Sequence, residues 1–215
     1  MHRIITPLFI ACTLAAARAA PPPTLQAAVA AYERGDLAGA RVALERLSKA
    51  GVPGADYNLA VMHLRGELPR ASVQEGQRLM TRAAERGFVT AMFTLGQMFE
   101  NGDTGRADLV AANRWYLRAA EAGSADTQVA IGTAHYLGRG ATKDLAEAAR
   151  WFREAAKGGD VGAQYLLASM YESGEGLEQD LRLARYWYDV AARNGDEAAP
   201  GKVKELDNRL GAKPS

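Results

Sequence analysis

The chain repeats itself every 36 residues, and this period constrains the fold more than any other feature of the sequence. Written in rows of 36, residues 55–198 form four rows that align without a gap. The recurring columns hold an aliphatic residue followed by a small one, an aromatic residue or histidine, single glycines and an alanine pair. A period of roughly 20 to 50 residues is typical of solenoids, whose units bury their apolar faces against one another. The predicted repeats are residues 55–90, 91–126, 127–162 and 163–198.

Each row predicts two amphipathic helices joined by a glycine-containing loop. In the fourth row, apolar residues at helical spacing predict a first helix over residues 163–173. Gly174 follows it directly, and glycine at this point can take the left-handed conformation that ends many helices. Asp180 precedes the second apolar stripe, so we expect its carboxylate to accept hydrogen bonds from the first amides of the second helix. Asp108 and Asp144 hold the same column and receive the same interpretation.

Two columns predict how the helices pack. Gly96 and Gly132 stand in the middle of predicted helices, where glycine costs about 1 kcal/mol relative to alanine, so we expect a close approach of a neighbouring helix at both positions. The wider gaps beside these contacts are assigned to the tryptophan column. Trp115, Trp151 and Trp187 are therefore predicted to occupy matching buried positions in consecutive hairpins.

The N-terminus has the pattern of an export signal. Residues 1–19 contain a charged start, an apolar run and small residues before the expected cleavage site, which together predict a secretory signal peptide. A membrane anchor is the weaker alternative, because the apolar run is shorter than the roughly 20 residues that a span needs. Cys12 is either lipidated or removed with the signal peptide, and in the second case the mature chain has no cysteine. Residues 20–24, which contain three prolines, are expected to form a stiff spacer.

Composition excludes several classes of partner. A hydrophobic content of 48% with 24% charged residues is typical of a folded chain. Lys and Arg number 26 and Asp and Glu 25, so the sequence has no basic excess with which to bind nucleic acid. After the signal peptide no apolar stretch is long enough to cross a bilayer, so stable membrane insertion is not expected. The protein is expected to be periplasmic or secreted.

The fourth row also carries a recognisable family pattern. Its members are Gly174-Glu175-Gly176, Asp180, Trp187-Tyr188, Ala191-Ala192 and Gly195-Asp196. With this pattern the chain resembles the Sel-one-like repeat family, a relative of the tetratricopeptide repeats. The second row fits with Gly105 shifted by one place, whereas the first row lacks the tryptophan and the aspartate and carries Pro69 in its loop.

The resemblance implies an all-α fold, a right-handed superhelical solenoid of antiparallel helix hairpins whose concave face binds a protein or peptide. Residues 25–54 resemble a divergent tetratricopeptide hairpin, and residues 199–215 are expected to form a C-terminal capping helix and tail, with Pro200 and Gly201 breaking the repeat before a polar helix over residues 202–210. Some exported relatives close each repeat with a cysteine pair. This chain has none after the signal peptide, so that subgroup's properties are not carried over.

No catalytic, metal or cofactor site is predicted. His63 and His135 stand in an aromatic column two repeats apart, too far from each other to share a metal ion. The aspartates of the capping column lie one repeat apart in a row and do not face one another across a cleft, as a hydrolase pair would. Gly138-Arg139-Gly140 lacks the preceding strand and the Lys-Ser/Thr of a phosphate loop.

The candidate partner-binding residues lie on the first helix of each row, at positions that helical spacing directs away from the apolar stripe. They are Asn58, Val61, Arg65, Thr94, Gln97, Asn101, Ala130, Thr133, Leu137, Leu166, Ser169 and Ser173. Many are small or amide residues, suited to hydrogen bonding with an extended backbone. An equally simple interpretation is that they are only solvated. Tyr57, Phe93 and Tyr165 are expected to pack between repeats and not to bind a partner.

Three functions remain open from the sequence. The leading hypothesis is a non-enzymatic interaction scaffold of the bacterial cell envelope, which binds a protein or peptide along the concave face. The alternative is an envelope hydrolase or cell-wall glycan-binding protein on the same solenoid. A third is an oligomerisation or assembly subunit that uses the exposed end repeat at residues 25–51.

Overall fold

A computed structural model describes residues 23–211 of the chain. This range contains eleven α-helices and no strand. The helices are α1 Leu25–Glu33, α2 Leu37–Lys49, α3 Pro53–Leu64, α4 Val73–Glu85, α5 Val89–Asn101, α6 Leu109–Glu121, α7 Ala125–Leu137, α8 Leu145–Lys157, α9 Val161–Ser173, α10 Leu181–Arg193 and α11 Ala199–Gly211. The all-α solenoid of paired helices with a 36-residue period is confirmed.

The helices form antiparallel hairpins that stack along the chain. We call α3, α5, α7 and α9 the first helices and α4, α6, α8 and α10 the second helices. Each first helix packs against the second helix of its own repeat and against the second helix of the preceding one, whereas first helices contact each other little. One side of every first helix therefore faces neither of the second helices beside it.

The second helices begin at side-chain caps. Asp108 Oδ1 accepts a hydrogen bond from Ala111 N at 2.9 Å, and Asp144 Oδ1 accepts one from Glu147 N at 3.0 Å. Asp180 caps α10 in the same way. These hydrogen bonds confirm the predicted caps. A carboxylate just before a helix satisfies first-turn amides that have no partner within the helix.

The mid-helix glycines lie against aromatic rings. A Cβ atom built on Gly132 would be 2.7 Å from Phe152 Cε1, and one built on Gly96 would lie still closer to Tyr116 Cε1. The predicted close approach at both glycines is confirmed. The neighbour at each position is the second helix of the same hairpin, which packs more tightly there than a side chain on the glycine would allow.

The prediction for the tryptophan column is correct only for Trp151, which is 4% exposed. Trp115 and Trp187 are half-buried. The aromatic column that is buried in every case is the next residue along α6, α8 and α10, namely Tyr116, Phe152 and Tyr188. Successive residues of a helix are rotated by about 100° relative to each other. This rotation places the next side chain inside the hairpin and leaves the indoles of Trp115 and Trp187 at its edge.

At the N-terminal end the structure begins within the predicted proline-containing spacer. The predicted signal peptide, residues 1–19, lies outside it, as do residues 20–22 of the spacer. Thr24 caps α1 by accepting from Ala27 N at 3.1 Å. No helix within residues 23–211 is both long and apolar enough to span a membrane.

The C-terminal helix begins earlier than predicted. The expectation that Pro200 and Gly201 break the pattern is wrong, because α11 starts at Ala199 and contains both residues. Proline is tolerated in the first turn, where its missing N–H has no helical partner to lose. The helix is also less polar than expected, since Ala199 and Leu206 are 0% exposed and pack in one cluster with Tyr188.

Candidate partner-binding face

The predicted partner-binding residues lie along α3, α5, α7 and α9, with Arg65 directly after α3. Val61 and Ala130 pack in part against core clusters. None of the predicted residues is fully buried. We call this set the first-helix face. Its half-buried members are Asn58, Val61, Thr94, Ala130, Thr133 and Ser169, and its exposed members are Arg65, Gln97, Asn101, Leu137, Leu166 and Ser173.

Several polar groups of the first-helix face are engaged within the chain. Asn58 Nδ2 donates to Gly54 O at 2.7 Å, and Thr94 Oγ1 donates to Thr90 O at 2.8 Å. Arg65 donates to the hydroxyl of Tyr32 at 2.9 Å. These side chains form bonds to their own helix or to α1, so a partner would meet a less uniform set of donors than the sequence pattern predicts.

The aromatic residues of the first helices pack against other rings. The ring of Phe93 lies 5.9 Å from that of Tyr116, and Tyr165 lies 5.0 Å from Tyr188. Each pair joins the two helices of one hairpin, so these rings pack within a repeat and not only between repeats. Such pairs contribute about 0.5 to 1.5 kcal/mol beyond the area they bury, which favours a structural role.

Two tyrosines of the second helices bind glutamates of the first helices. Tyr116 OH donates to Glu100 at 2.8 Å, and Tyr188 OH donates to Glu172 at 2.9 Å. Burial raises the pKa of both phenols, and the hydrogen bond to the adjacent carboxylate and its negative charge raise it further. The sequence analysis missed these pairs. The available signal was that Glu and Tyr recur together in the second and fourth rows and in no other.

A cavity opens beside Glu100, between α5, α6 and α7. Its volume is about 170 Å³. Pockets for drug-sized ligands have volumes of roughly 300 to 1,000 Å³, so this one fits a single side chain better than a cofactor. Two members of the first-helix face, Ala130 and Thr133, line it together with Glu100 and Tyr116. The other lining residues are Leu109, Ala112, Asn113, Ala134 and Arg139.

A charged group is fully buried near the start of the array. The side chain of Asp56 is 0% exposed. It accepts from Arg82 Nε at 2.8 Å and from Arg86 at 3.0 Å, and Arg82 also donates to Ser48 Oγ at 2.6 Å. A buried carboxylate needs such partners, because its transfer from water into the protein interior without them would cost several kcal/mol. This cluster joins α2, α3 and α4 and was not predicted from the sequence.

The histidines bind the loops that follow their own helices. His63 Nδ1 accepts from Ser72 N at 3.2 Å, and His135 Nδ1 lies 3.1 Å from Thr142 O. Both contacts hold the start of the second helix against the end of the first. Across residues 23–211 no group of three or more His, Cys, Asp or Glu residues is arranged to hold a metal ion.

The stacked hairpins and the capped second helices define an α-helical repeat solenoid. The Sel1 repeat model matches residues 53–88, 89–124, 125–160 and 161–196, so the chain belongs to the Sel1 repeat family. Each match starts at the first residue of a first helix. Proteins with these repeats are generally non-catalytic scaffolds for protein–protein interaction.

Two solved structures illustrate the likeness. A Sel1 repeat protein from Oxalobacter formigenes is 26% identical, with a TM-score of 0.76, and the match covers 89% of this chain and 79% of that one. A protective antigen present in uropathogenic Escherichia coli strains, which displays the same fold, is 27% identical with a TM-score of 0.73. The match covers 86% of this chain but only 41% of the antigen. No curated protein matches the sequence.

Proposed function

We propose that this protein is an exported, non-enzymatic scaffold that binds an extended segment of a partner protein along the first-helix face. The observation that carries the proposal is the repetition of this face on α3, α5, α7 and α9 at a constant interval, with exposed members on or directly after each of these helices. A repeated open surface can bind successive residues of one extended chain, as solenoid proteins do.

The chemistry of the face supports binding more than catalysis. Its exposed members include amide and hydroxyl side chains with two leucines, Leu137 at 52% and Leu166 at 39% exposure. Such a mixture suits the peptide groups and apolar side chains of an extended segment. The hydrolase alternative would need two carboxyl groups facing each other about 5 to 10 Å apart, and the proposal invokes no such pair.

Site-specific photo-crosslinking tests the binding face. A photoreactive residue is placed at Gln97, which is exposed on α5, and in a matched variant at Arg114, which is exposed on α6. The expected result is one discrete adduct in cells from the Gln97 variant and none from the Arg114 variant. Equal adducts from both positions, or none from either, would contradict a partner bound along the first helices.

Export is a separate part of the proposal and rests on the pattern of residues 1–19. The sequence predicts cleavage after Ala19 or Ala20. Mass spectrometry of the protein purified from periplasm or culture medium would show a mature N-terminus at Ala20 or Pro21. An intact Met1 in a protein recovered only from cytoplasm would overturn export, and a lipid attached to Cys12 would replace cleavage by anchoring.

A further inference from the structure

The last helix shows how a carboxylate of the first helices binds a cation. Glu172 accepts from Tyr188 OH at 2.9 Å, from Lys202 Nζ at 3.2 Å and from Arg209 at 2.8 Å. Both cations belong to α11, which packs over this end of the array. The side chain of Glu172 is 14% exposed as a result. A half-buried carboxylate is therefore satisfied by one phenol and two cations.

Glu100 and Tyr116 form the same arrangement two repeats earlier, with their hydroxyl–carboxylate distance at 2.8 Å. Here α7 takes the place of α11. The register of the two helices agrees: Thr127 in α7 and Ala199 in α11 share one repeat position, and both are 0% exposed.

Further along the same two helices the side chains differ. The positions of Lys202 and Arg209 in α11 correspond to Ala130 and Leu137 in α7. The site at Glu100 therefore has the glutamate and the tyrosine but not the cations. Glu100 is exposed, and none of the salt bridges found across residues 23–211 involves it. The 170 Å³ cavity lies beside Glu100 and is lined in part by Ala130.

We propose that the cavity beside Glu100 receives a lysine or arginine side chain of the bound partner, which supplies in trans the cation that α11 supplies to Glu172. The inference rests on the proposed scaffold function and specifies the chemistry of the partner. Leu137, 52% exposed, provides an apolar surface for the methylene stem of that side chain or for the residue beside it.

One cation of the chain lies close enough to compete. Arg139 lines the same cavity, and its backbone carbonyl accepts from Asn113 Nδ2 at 2.8 Å. Its guanidinium does not form a salt bridge with Glu100, in contrast to the two cations around Glu172. Replacing Arg139 with Gln therefore leaves the cavity less positive and is expected to tighten the binding of a basic side chain.

A transplant of the α11 cations tests the geometry without a partner. The double substitution Ala130→Lys with Leu137→Arg places cations at the positions equivalent to Lys202 and Arg209. The expected result is a higher melting temperature than the wild type, and this gain disappears when Glu100→Gln is added. A gain that persists without Glu100, or no gain in a variant that folds, would overturn the equivalence of the two sites.

A random nonapeptide array probed with the purified protein then tests the partner chemistry. The wild type and the control Glu121→Gln, at the far end of α6, are expected to select Lys or Arg at one fixed peptide position. Glu100→Gln should lose that selection and bind the selected peptides about two- to fivefold more weakly, the range for an exposed ion pair. Glu100→Lys should favour Asp or Glu at the same position. Circular dichroism melts verify that each variant folds.

The outcomes separate the two proposals. Peptides that bind with no preference for a basic residue, or with a preference that survives Glu100→Gln, overturn the inference and leave the scaffold function in place. No peptide binding together with no crosslink from Gln97 overturns the scaffold function and the inference with it. Basic selection that requires Glu100 supports both.

Discussion

The edge of the Phe152 ring lies against the backbone of Gly132, so that a methyl group added there would sit 2.7 Å from Phe152 Cε1. This contact joins α7 to α8 in the middle of the array. A larger side chain at this point would push the two helices of the hairpin apart. The repeat has no alternative packing for the ring, because Phe152 is 2% exposed and surrounded by its own core cluster.

Gly132→Leu is expected to destabilise the protein by about 3 kcal/mol, the upper part of the usual range for overpacking. The control is Asp126→Ala, which removes an exposed carboxylate from the first turn of α7 and should change stability by less than about 1 kcal/mol. Urea unfolding followed by circular dichroism gives both values. A larger loss for the Asp126 variant would contradict the helix packing.

Asp56→Asn is expected to lower the free energy of unfolding by about 3 kcal/mol. The substitution removes a buried negative charge that forms salt bridges with Arg82 and with Arg86. Glu75→Gln serves as the control. It breaks an exposed pair with Arg78, which should contribute less than about 1 kcal/mol. Equal melting temperatures for the two variants would show that the buried cluster adds nothing.

Glu172 makes the stability depend on pH. Burial alone would raise the pKa of Glu172, but the hydrogen bond from Tyr188 and the cations of α11 outweigh it and hold the pKa below its ordinary value of 4.5. A lowered pKa in the folded state means that the carboxylate stabilises the protein fully above pH 4.5, and that this contribution is lost as the pH falls through the folded pKa.

The stability difference between the wild type and Glu172→Gln should therefore be constant from about pH 6 to 7 and shrink as the pH falls below 4.5 and through the folded pKa. Urea titrations at several pH values measure it. A difference that grows on acidification would mean that Glu172 is protonated in the folded protein. Glu178→Gln, an exposed change in the loop before α10, provides the control.

Trp151→Ala is expected to destabilise by about 3 to 5 kcal/mol, as for a buried aromatic side chain. Trp187→Ala should have roughly half that effect, because its indole is half-buried at the edge of α10. The free energies of unfolding of the two variants test the difference between the columns. Similar losses at both positions would restore the uniform tryptophan column that the sequence predicts.

The sequence predicted the features that depend on local chemistry. The caps at Asp108 and Asp180 and the helix end at Gly174 could be read directly, because each needs only one residue type at one point of the helix. The choice between Trp187 and Tyr188 could not be made in this way. Both lie within a broad apolar stripe, and only the angle between the packed helices decides which of them points inward.

The repeat pattern of the sequence could not predict the polar contacts between helices. Glu100 and Asp56 look like surface residues in a row alignment, and nothing local distinguishes the exposed carboxylate from the buried one. Their environments depend on Tyr116 and Arg82, which lie on the next helix along the chain. The first-helix face stays a prediction, since the structure shows that its residues are accessible but not what they bind.

The positions of Lys202 and Arg209 in α11 bear on the length of the proposed binding face. These two residues occupy the repeat positions that Ala130 and Leu137 of the first-helix face occupy in α7. Both of their side chains form salt bridges with Glu172. A partner segment that lies along α3, α5, α7 and α9, as we propose, would therefore not continue onto the equivalent face of α11, whose two cations are already paired with Glu172. On that proposal α11 limits the binding face on its own side of the array, and additional hairpins placed before α3 would extend the face only in the opposite direction.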